Sequence, residues 1–509
     1  MRYFNLLCLC ICLLSSTTSV LCQYGQLNDL IIGPADEFSL FGTSISLDAG
    51  GRILAVGAPL FDDDRGLVQV YRDSSGNWVP RGPALAGVEQ ANGYGRAVAL
   101  SADGSRLAVG AFNAGPGIGD PPPGGTPSGG QVLVYDWDGT NYELVGEPIA
   151  ATGERDRFGT SVALSAAGDV VVAGGPGGGT AMIEAGNARV FNLVNGEWVQ
   201  FGAELSGTTL GANLGEAVAC SDDGQIIAVG APIANSGGAN NDLNLLGRVY
   251  VYERAASSLR VIGVLNGMNR SERFGQSIAL NGDGEVMAVA SPSRMLENSI
   301  GAVTVYERVD GNYVVKGTPI TGTTRQEAFG ASVDINTAGD RVVIGTFSAD
   351  PDGFSSGRVD VFAFDEMAGD WVAVGEPITG DRDFAYFGWS VAMNGEGNRI
   401  AQGGTLFEMG TGVVGVYEDA ANPVATRFVV SLDARVLSLP GRLRVELPVG
   451  VGGGDLSAAL YAADGRLVGS WKRPVGAGQF ELAHGQRPGV YYLRLGVGVA
   501  GSVIGVYCY

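Results

Sequence analysis

One pattern recurs seven times along this chain and restricts what it can become. A bulky residue followed by glycine opens a short apolar stretch at Phe41, Tyr94, Phe158, Leu214, Phe274, Phe329 and Phe387, at spacings of 53, 64, 56, 60, 55 and 58 residues. Units of this length that cannot bury their own apolar faces must stack on one another, and four short strands per unit, arranged around an axis, is the arrangement that closes. The parts of each unit follow in the same order. The stretch after the opening pair, as in FGTSISL, FGQSIAL and FGWSVAM, supplies an innermost strand with small residues. A turn follows, written DAGG, ADGS, AAGD, DDGQ, GDGE, TAGD or GEGN, in which glycine takes positive φ and Asp or Asn bonds the backbone. The second strand is a continuous apolar run, ending in AVGAP at Ala55 to Pro59 and at Ala228 to Pro232, so it is expected to be buried on both faces.

The third strand is the most regular: GLVQVY at Gly66, GQVLVY at Gly130, GNARVF at Gly186, GRVYVY at Gly247, GAVTVY at Gly301, GRVDVF at Gly357 and GVVGVY at Gly412. Its period of two is that of a strand with different neighbours on its two faces. The outer strand opens on Trp78, Tyr142, Trp198, Leu259, Tyr313 or Trp371, but the seventh unit stops after Tyr417. The missing strand is expected from the start of the chain. YGQLNDLIIG aligns without a gap on WVAVGEPITG, placing Tyr24 on Trp371, Ile31 on Ile378 and Gly33 on Gly380. Such pairing closes the ring and removes an open sheet edge. The expected fold is therefore all-β: a seven-bladed β-propeller over residues 23–418, closed by the N-terminal strand, then a linker over 419–425 and a small β-sandwich over 426–509.

Residues 1–22 place Arg2 before an apolar run too short for a membrane span. This is the layout of a secretory signal peptide, with cleavage expected before Gln23, export to the cell surface or beyond, and no transmembrane anchor. Four of the six cysteines leave with that segment, and the remaining Cys220 and Cys508 do not form a disulfide framework. Acidic residues outnumber basic ones 53 to 32, a net charge of −21, which repels phosphate backbones and argues against a nucleic-acid partner.

The FG opening and the VGAP strand resemble FG-GAP repeats, which form the seven-bladed propeller at the head of integrin α chains; the resemblance spans residues 24 to 418. The calcium-binding units of that family carry spaced carboxylates in a long first turn. Here the turn is short and holds at most two, as in Asp222-Asp223-Gly224, whereas calcium takes roughly six or more oxygen ligands. Those calcium sites are not carried over, and no cofactor is expected. In the tail, LYAADGRLV and RPGVYYLRL resemble the C-terminal sorting domain of type IX secretion substrates in Bacteroidota, with Gly465 in its hairpin turn and Gly489 and Tyr491 in its most characteristic strand. That resemblance implies the type IX export machinery as a partner.

His484 is the only histidine and lies in the tail, so the propeller holds no Ser-His-Asp triad and no histidine-based metal site. The face carrying the loops between second and third strands, and the links between blades, varies most and is the expected recognition surface. Its candidates are Asp62, Asp63 and Asp64, the segment Asn113 to Gly129, Asn240, Asn241 and Asp242, and Asp350 and Asp352, with Arg155, Asp156, Arg273, Arg325, Asp381 and Asp383 on the links. Asp62 to Asp64 is the place where a cation such as calcium would sit. The function expected is non-catalytic adhesion to a glycan or an extracellular protein. The alternatives are a carbohydrate-active enzyme using two carboxylates in the central depression, or a structural envelope component.

Overall fold

The computed structural model describes residues 24–419 apart from 28, 35–37, 89–91, 114–128, 179–183, 235–245, 270–271, 293–299, 326 and 352–353; beyond these it describes 435–439, 442–446, 455–462, 467–474, 479–483, 489–497 and 500–508. The signal-peptide segment, Asn240, Asn241, Asp242, Asp352, Gly465 and His484 lie outside the described residues. No helix among the described residues is long and apolar enough to cross a membrane.

Seven antiparallel sheets follow one another along the chain as the blades of a propeller. Blade 1 shows the plan, with strands Ser44–Leu47, Ile53–Ala58, Leu67–Ser74 and Asn77–Pro80 running from the axis outward. The second strands are buried almost throughout, as their apolar runs require, because each is covered by a blade on either side. The outer strand is interrupted in blades 1, 2, 5 and 6, each of which carries a proline there (Pro83, Pro148, Pro319, Pro377), and in blade 7, which carries none. Blades 3 and 4 lack that proline, and their outer strands Glu197–Ser206 and Ser258–Asn266 run on through a bulge. A proline has no N–H to give the ladder.

Blade 7 is completed by the start of the chain. Phe387–Met393, Arg399–Gly404 and Val413–Asp419 are joined on the outside by Tyr24–Gln26 and Ile31–Ile32, with Tyr24 opposite Asp419 and Ile31 opposite Val414. This register matches blade 6, where Trp371 faces Phe364 and Ile378 faces Val359. Asp419, at the start of the expected linker, is the last residue of this strand, and its buried carboxylate accepts from Arg341 Nη1 of blade 6 at 2.9 Å. The Tyr24 hydroxyl donates to the Gly397 carbonyl beside it. On the other side, Arg399 of blade 7 pairs with Asp73 of blade 1 at 2.8 Å, both side chains being buried. Charge-assisted bonds thus cross both seams of the blade assembled from the two ends of the propeller.

Two repeated devices join the blades. The first is a closed ring of backbone hydrogen bonds between the turns that follow the innermost strands. Ala49 N–H donates to Ala102 C=O, Ala102 to Ala166, Ala166 to Asp222, Asp222 to Gly282, Gly282 to Thr337, Thr337 to Gly395, and Gly395 back to Ala49, at 2.8–3.1 Å. Each turn is fixed by the residue just before it: Asp48, Ser101, Ser165, Ser221, Asn281, Asn336 or Asn394. Its side-chain oxygen accepts the N–H five residues on. Ser101, in the S-A-D-G stretch, has this turn role.

The second device is close backbone approach. At six of the seven junctions the carbonyl of the FG glycine lies against the glycine of the preceding blade's second strand; at the seventh, Gly330 meets Ala290. A Cβ on Gly110 would sit 2.0 Å from the Gly159 oxygen, and one on Gly57 2.1 Å from the Gly95 oxygen. The first glycine of the third strand is equally confined: a Cβ on Gly130 would meet the Phe158 oxygen at 2.2 Å. The FG bulky residues themselves are fully buried between blades, Phe41, Phe158 and Phe329 among them.

The chain divides into two compact units, 1–424 and 425–509. The second contains two antiparallel sheets. Arg435–Leu439, Arg442–Glu446 and Gln479–Ala483 form one; Leu467–Pro474, Asp455–Ala462, Gly489–Val497 and Ala500–Cys508, in that spatial order, form the other. Gly489 and Tyr491 lie in the strand Gly489–Val497, with Tyr491 opposite both Ala462 and Val506.

These contacts predict that Gly110→Ala destabilises the propeller by about 1–3 kcal/mol, since backbone atoms must move to admit the methyl group. Gly25→Ala, with nothing within 4 Å of the added carbon, should stay within about 0.5 kcal/mol of the parent. Urea unfolding of the two variants decides this, and equal midpoints would contradict the close-approach account. Removing residues 24–33 should lower the melting temperature, because blade 7 loses its outer strand and Arg341 the Tyr24 hydroxyl; unchanged melting would rule out closure by this strand.

Candidate functional site

The link that enters each blade ends in the same turn. The residue before the FG pair takes positive φ in all seven: Leu40, Gly93, Arg157, Asn213, Arg273, Ala328 and Tyr386. Six of these are not glycine, so the backbone is held in a conformation that L-residues adopt reluctantly. In every link the carbonyl of this residue accepts a hydrogen bond from the N–H of the residue just after the FG pair, as Arg157 does from Thr160 and Tyr386 from Trp389. A rigid backbone turn thus presents a side chain on either side of each buried FG pair.

The residues after the pair, Thr43, Arg96, Thr160, Glu216, Gln276, Ala331 and Trp389, all line a single cavity of about 410 Å³ at the propeller axis. Every innermost strand contributes, together with Arg273 from a link and Pro292 and Phe347 from the ends of second strands. The volume is that of a small-molecule site. One wall is aromatic: the Trp389 ring lies 4.6 Å from Phe347, and Tyr386 packs edge-on against both, 5.6 Å from Phe347 and 6.4 Å from Trp389. Trp389 keeps 37% of its surface exposed, outside the buried core. The remaining rim is polar and charged, from Arg96, Glu216, Arg273 and Gln276.

Burial lowers the pKa of the Arg96 guanidinium from its ordinary value; Glu216 opposes this and Arg157 adds to it. Burial raises the Cys220 thiol to about 12, leaving it an unreactive apolar group at the end of an innermost strand. Deeper along the axis, Asp334 stands on the innermost strand of blade 6, at the position filled by Ser46 or Ala in the other blades. Its Oδ2 accepts the Met393 N–H of blade 7 at 2.7 Å and its Oδ1 the Ile335 N–H at 2.9 Å. Burial outweighs these bonds and pushes its carboxyl up to about 6.

Of the picked residues that are described, Arg273 alone lines the cavity. Asp62, Asp63 and Asp64 form a single helical turn, Phe61–Asp64, with positive φ at all three, and Asp62 pairs with Arg65 at 3.1 Å. Asp350 accepts the Ser355 N–H and Asp383 the Phe354 N–H, both as loop supports. Asp156 is buried and holds the Gly153 N–H at 2.8 Å, while Asp381 pairs with Arg382. Arg155 and Arg325 lie on links, and Asn113 and Gly129 end a loop whose middle is outside the described residues. None of these lines the cavity, and no group of three or more His, Cys, Asp or Glu that could hold a metal ion occurs among the described residues. What sequence reading passed over is the position that varies most in polarity inside the opening motif: the third letter of FGT, YGR, FGT, LGE, FGQ, FGA and FGW. That variation in polarity is the signal that could have found it.

No family model matches the chain, and no curated protein matches it. Solved structures do. A Bacteroides fragilis protein described as a 6-phosphogluconolactonase is 14% identical, with a TM-score of 0.45, over 67% of this chain and 85% of that one. The periplasmic gluconolactonase of Pseudomonas aeruginosa is 16% identical, with a TM-score of 0.44, over 67% and 86%. At these levels the similarity carries no functional argument, and no family is assigned.

Asp334 makes the stability of the propeller depend on pH. Its folded pKa is raised above the unfolded value of 3.8, so the stabilisation from holding the proton is full below pH 4 and is lost as pH rises through about 6. Asp334→Asn should flatten that part of the profile in urea melts between pH 4 and 7. A profile of the variant superimposable on that of the parent would show that the group does not titrate as described.

Proposed function

We propose that this chain is a non-catalytic, exported binding protein of the FG-GAP type whose propeller recognises a saccharide in the axial cavity. The observation that carries this reading is the ring of seven side chains that vary after a shared turn, with Trp389 partly exposed on Phe347 and Tyr386 beside polar Arg96, Glu216 and Gln276. A flat aromatic face next to hydrogen-bonding groups suits a sugar, which is apolar on its ring faces and polar at its edge. A protein partner would engage the rim of loops instead. For a hydrolase with paired carboxylates the lining offers less: Glu216 is its single carboxylate among the described residues, whereas glycoside hydrolysis uses two. Export and attachment at the cell surface rest on the N-terminal apolar run and on the likeness of the tail to type IX sorting domains.

The purified full chain applied to a broad glycan array should bind a defined set of saccharides, with and without calcium chelation alike. Trp389→Ala should weaken that binding about tenfold or more with unchanged melting. A blank array, or binding indifferent to this substitution, would remove the axial cavity as a saccharide site.

A further inference from the structure

The cavity has a charge unlike that of the molecule around it. The chain carries a net charge of −21, yet the cavity lining holds Arg96 and Arg273 against Glu216 alone. A basic hollow in an acidic protein focuses a local field of its own.

Arg96 is also set apart from the arginines that build the scaffold. Arg106 pairs with Asp136 at 2.5 Å, Arg341 with Asp419 at 2.9 Å and Arg399 with Asp73 at 2.8 Å. Each of the three also donates to the turn glycine carbonyl of the next blade. The Arg96 guanidinium makes no hydrogen bond or ion pair among the described residues, although it is partly buried and its burial disfavours the charged form. Glu216 attracts it electrostatically without bonding to it, and Arg157 repels it. On the same rim, three blades away, the Gln276 Oε1 is buried and has no donor among the described residues. A buried amide oxygen left unmatched is costly, and no scaffold hydrogen bond among the described residues accounts for the Arg96 guanidinium. Together they ask for one group that accepts in the plane of a guanidinium and one that donates to an amide oxygen.

We propose that the axial cavity takes an acidic saccharide, with the carboxylate of a uronic-acid unit on Arg96, a hydroxyl donating to Gln276 Oε1, and a ring face against Trp389. This rests on the saccharide reading above and narrows it. A carboxylate matches the guanidinium fork in two parallel bonds. Glu216 on the same rim disfavours a doubly charged phosphate more than a singly charged carboxylate. The hydroxyls at the edge of the sugar give Glu216 donors of its own.

The test is calorimetric titration of the full chain with three probes of one length: an oligogalacturonide, its methyl ester and a neutral oligogalactoside. Free galacturonate, as a fourth probe, separates recognition of a monosaccharide from that of a polymer. The oligogalacturonide should bind at least about tenfold more tightly than its methyl ester, and this preference should weaken as salt is raised. Arg96→Gln, which keeps a polar side chain and removes the charge, should abolish the preference, with unchanged melting showing that the variant is folded. Equal or tighter binding of the ester or of the neutral sugar overturns the acidic assignment and leaves the saccharide reading standing. Binding of none of the four, against a glycan array that is also blank, overturns both. The ester comparison needs no variant, so the proposal stays open to refutation even if Arg96→Gln does not fold.

Discussion

At six of the seven junctions of this propeller, neighbouring blades touch backbone to backbone, where the carbonyl of an FG glycine lies against the glycine of the adjacent second strand. At Gly110 and Gly159 there is no room for even one carbon atom between them. Such proximity lets the apolar faces on either side close without voids, and the buried aromatic residue of each pair fills the wedge that remains. The spacing is conserved around the ring because each blade acts as both partners, once on each side. Near one end of the axis the seven turns add a second constraint, a circular chain of backbone hydrogen bonds that returns from Gly395 to Ala49. Neither device depends on which side chain occupies the turn, beyond the capping Asp, Ser or Asn that holds its shape.

Because backbone does this joining, the side chains on either side of the FG pair are released from structural duty. The seven links share a positive φ and one hydrogen bond, yet carry leucine, arginine, asparagine, alanine or tyrosine before the pair, and threonine, arginine, glutamate, glutamine, alanine or tryptophan after it. Those after the pair, with Arg273, line one cavity, which is how a repeat scaffold acquires a specific site without changing its fold. The strain of six non-glycine residues with positive φ is sustained because the packed pair that follows leaves the chain no other path.

Blade 7 is the place where a ring built from a linear chain must be sealed, and its joints differ from the others. Tyr24 is hydrogen-bonded to the Gly397 carbonyl, Arg341 reaches across to both Tyr24 and Asp419, and Arg399 pairs with Asp73 in a buried site. Removing one partner of such a pair, rather than parting both, would leave the other charge buried alone.

The sequence by itself determined the blade count, the order of strands and the closure by the N-terminal strand. Each is written in a repeating local pattern of glycines, apolar runs and turns, and Tyr24 aligns with Trp371 in the same register that the strands adopt. The cap position occupied by Asp48, Ser101, Asn281 and their counterparts was less legible, because three residue types serve one role and only the shared hydrogen bond to the N–H five residues on unites them. The cavity was decided by tertiary structure alone. Arg96, Glu216, Gln276 and Trp389 are far apart in the chain, and only closure of the ring brings their positions to one axis. Conspicuous acidic stretches such as Asp62 to Asp64 drew attention in the sequence, but they remained local turns, since charge density along a chain says nothing about which side chains a curved sheet will gather.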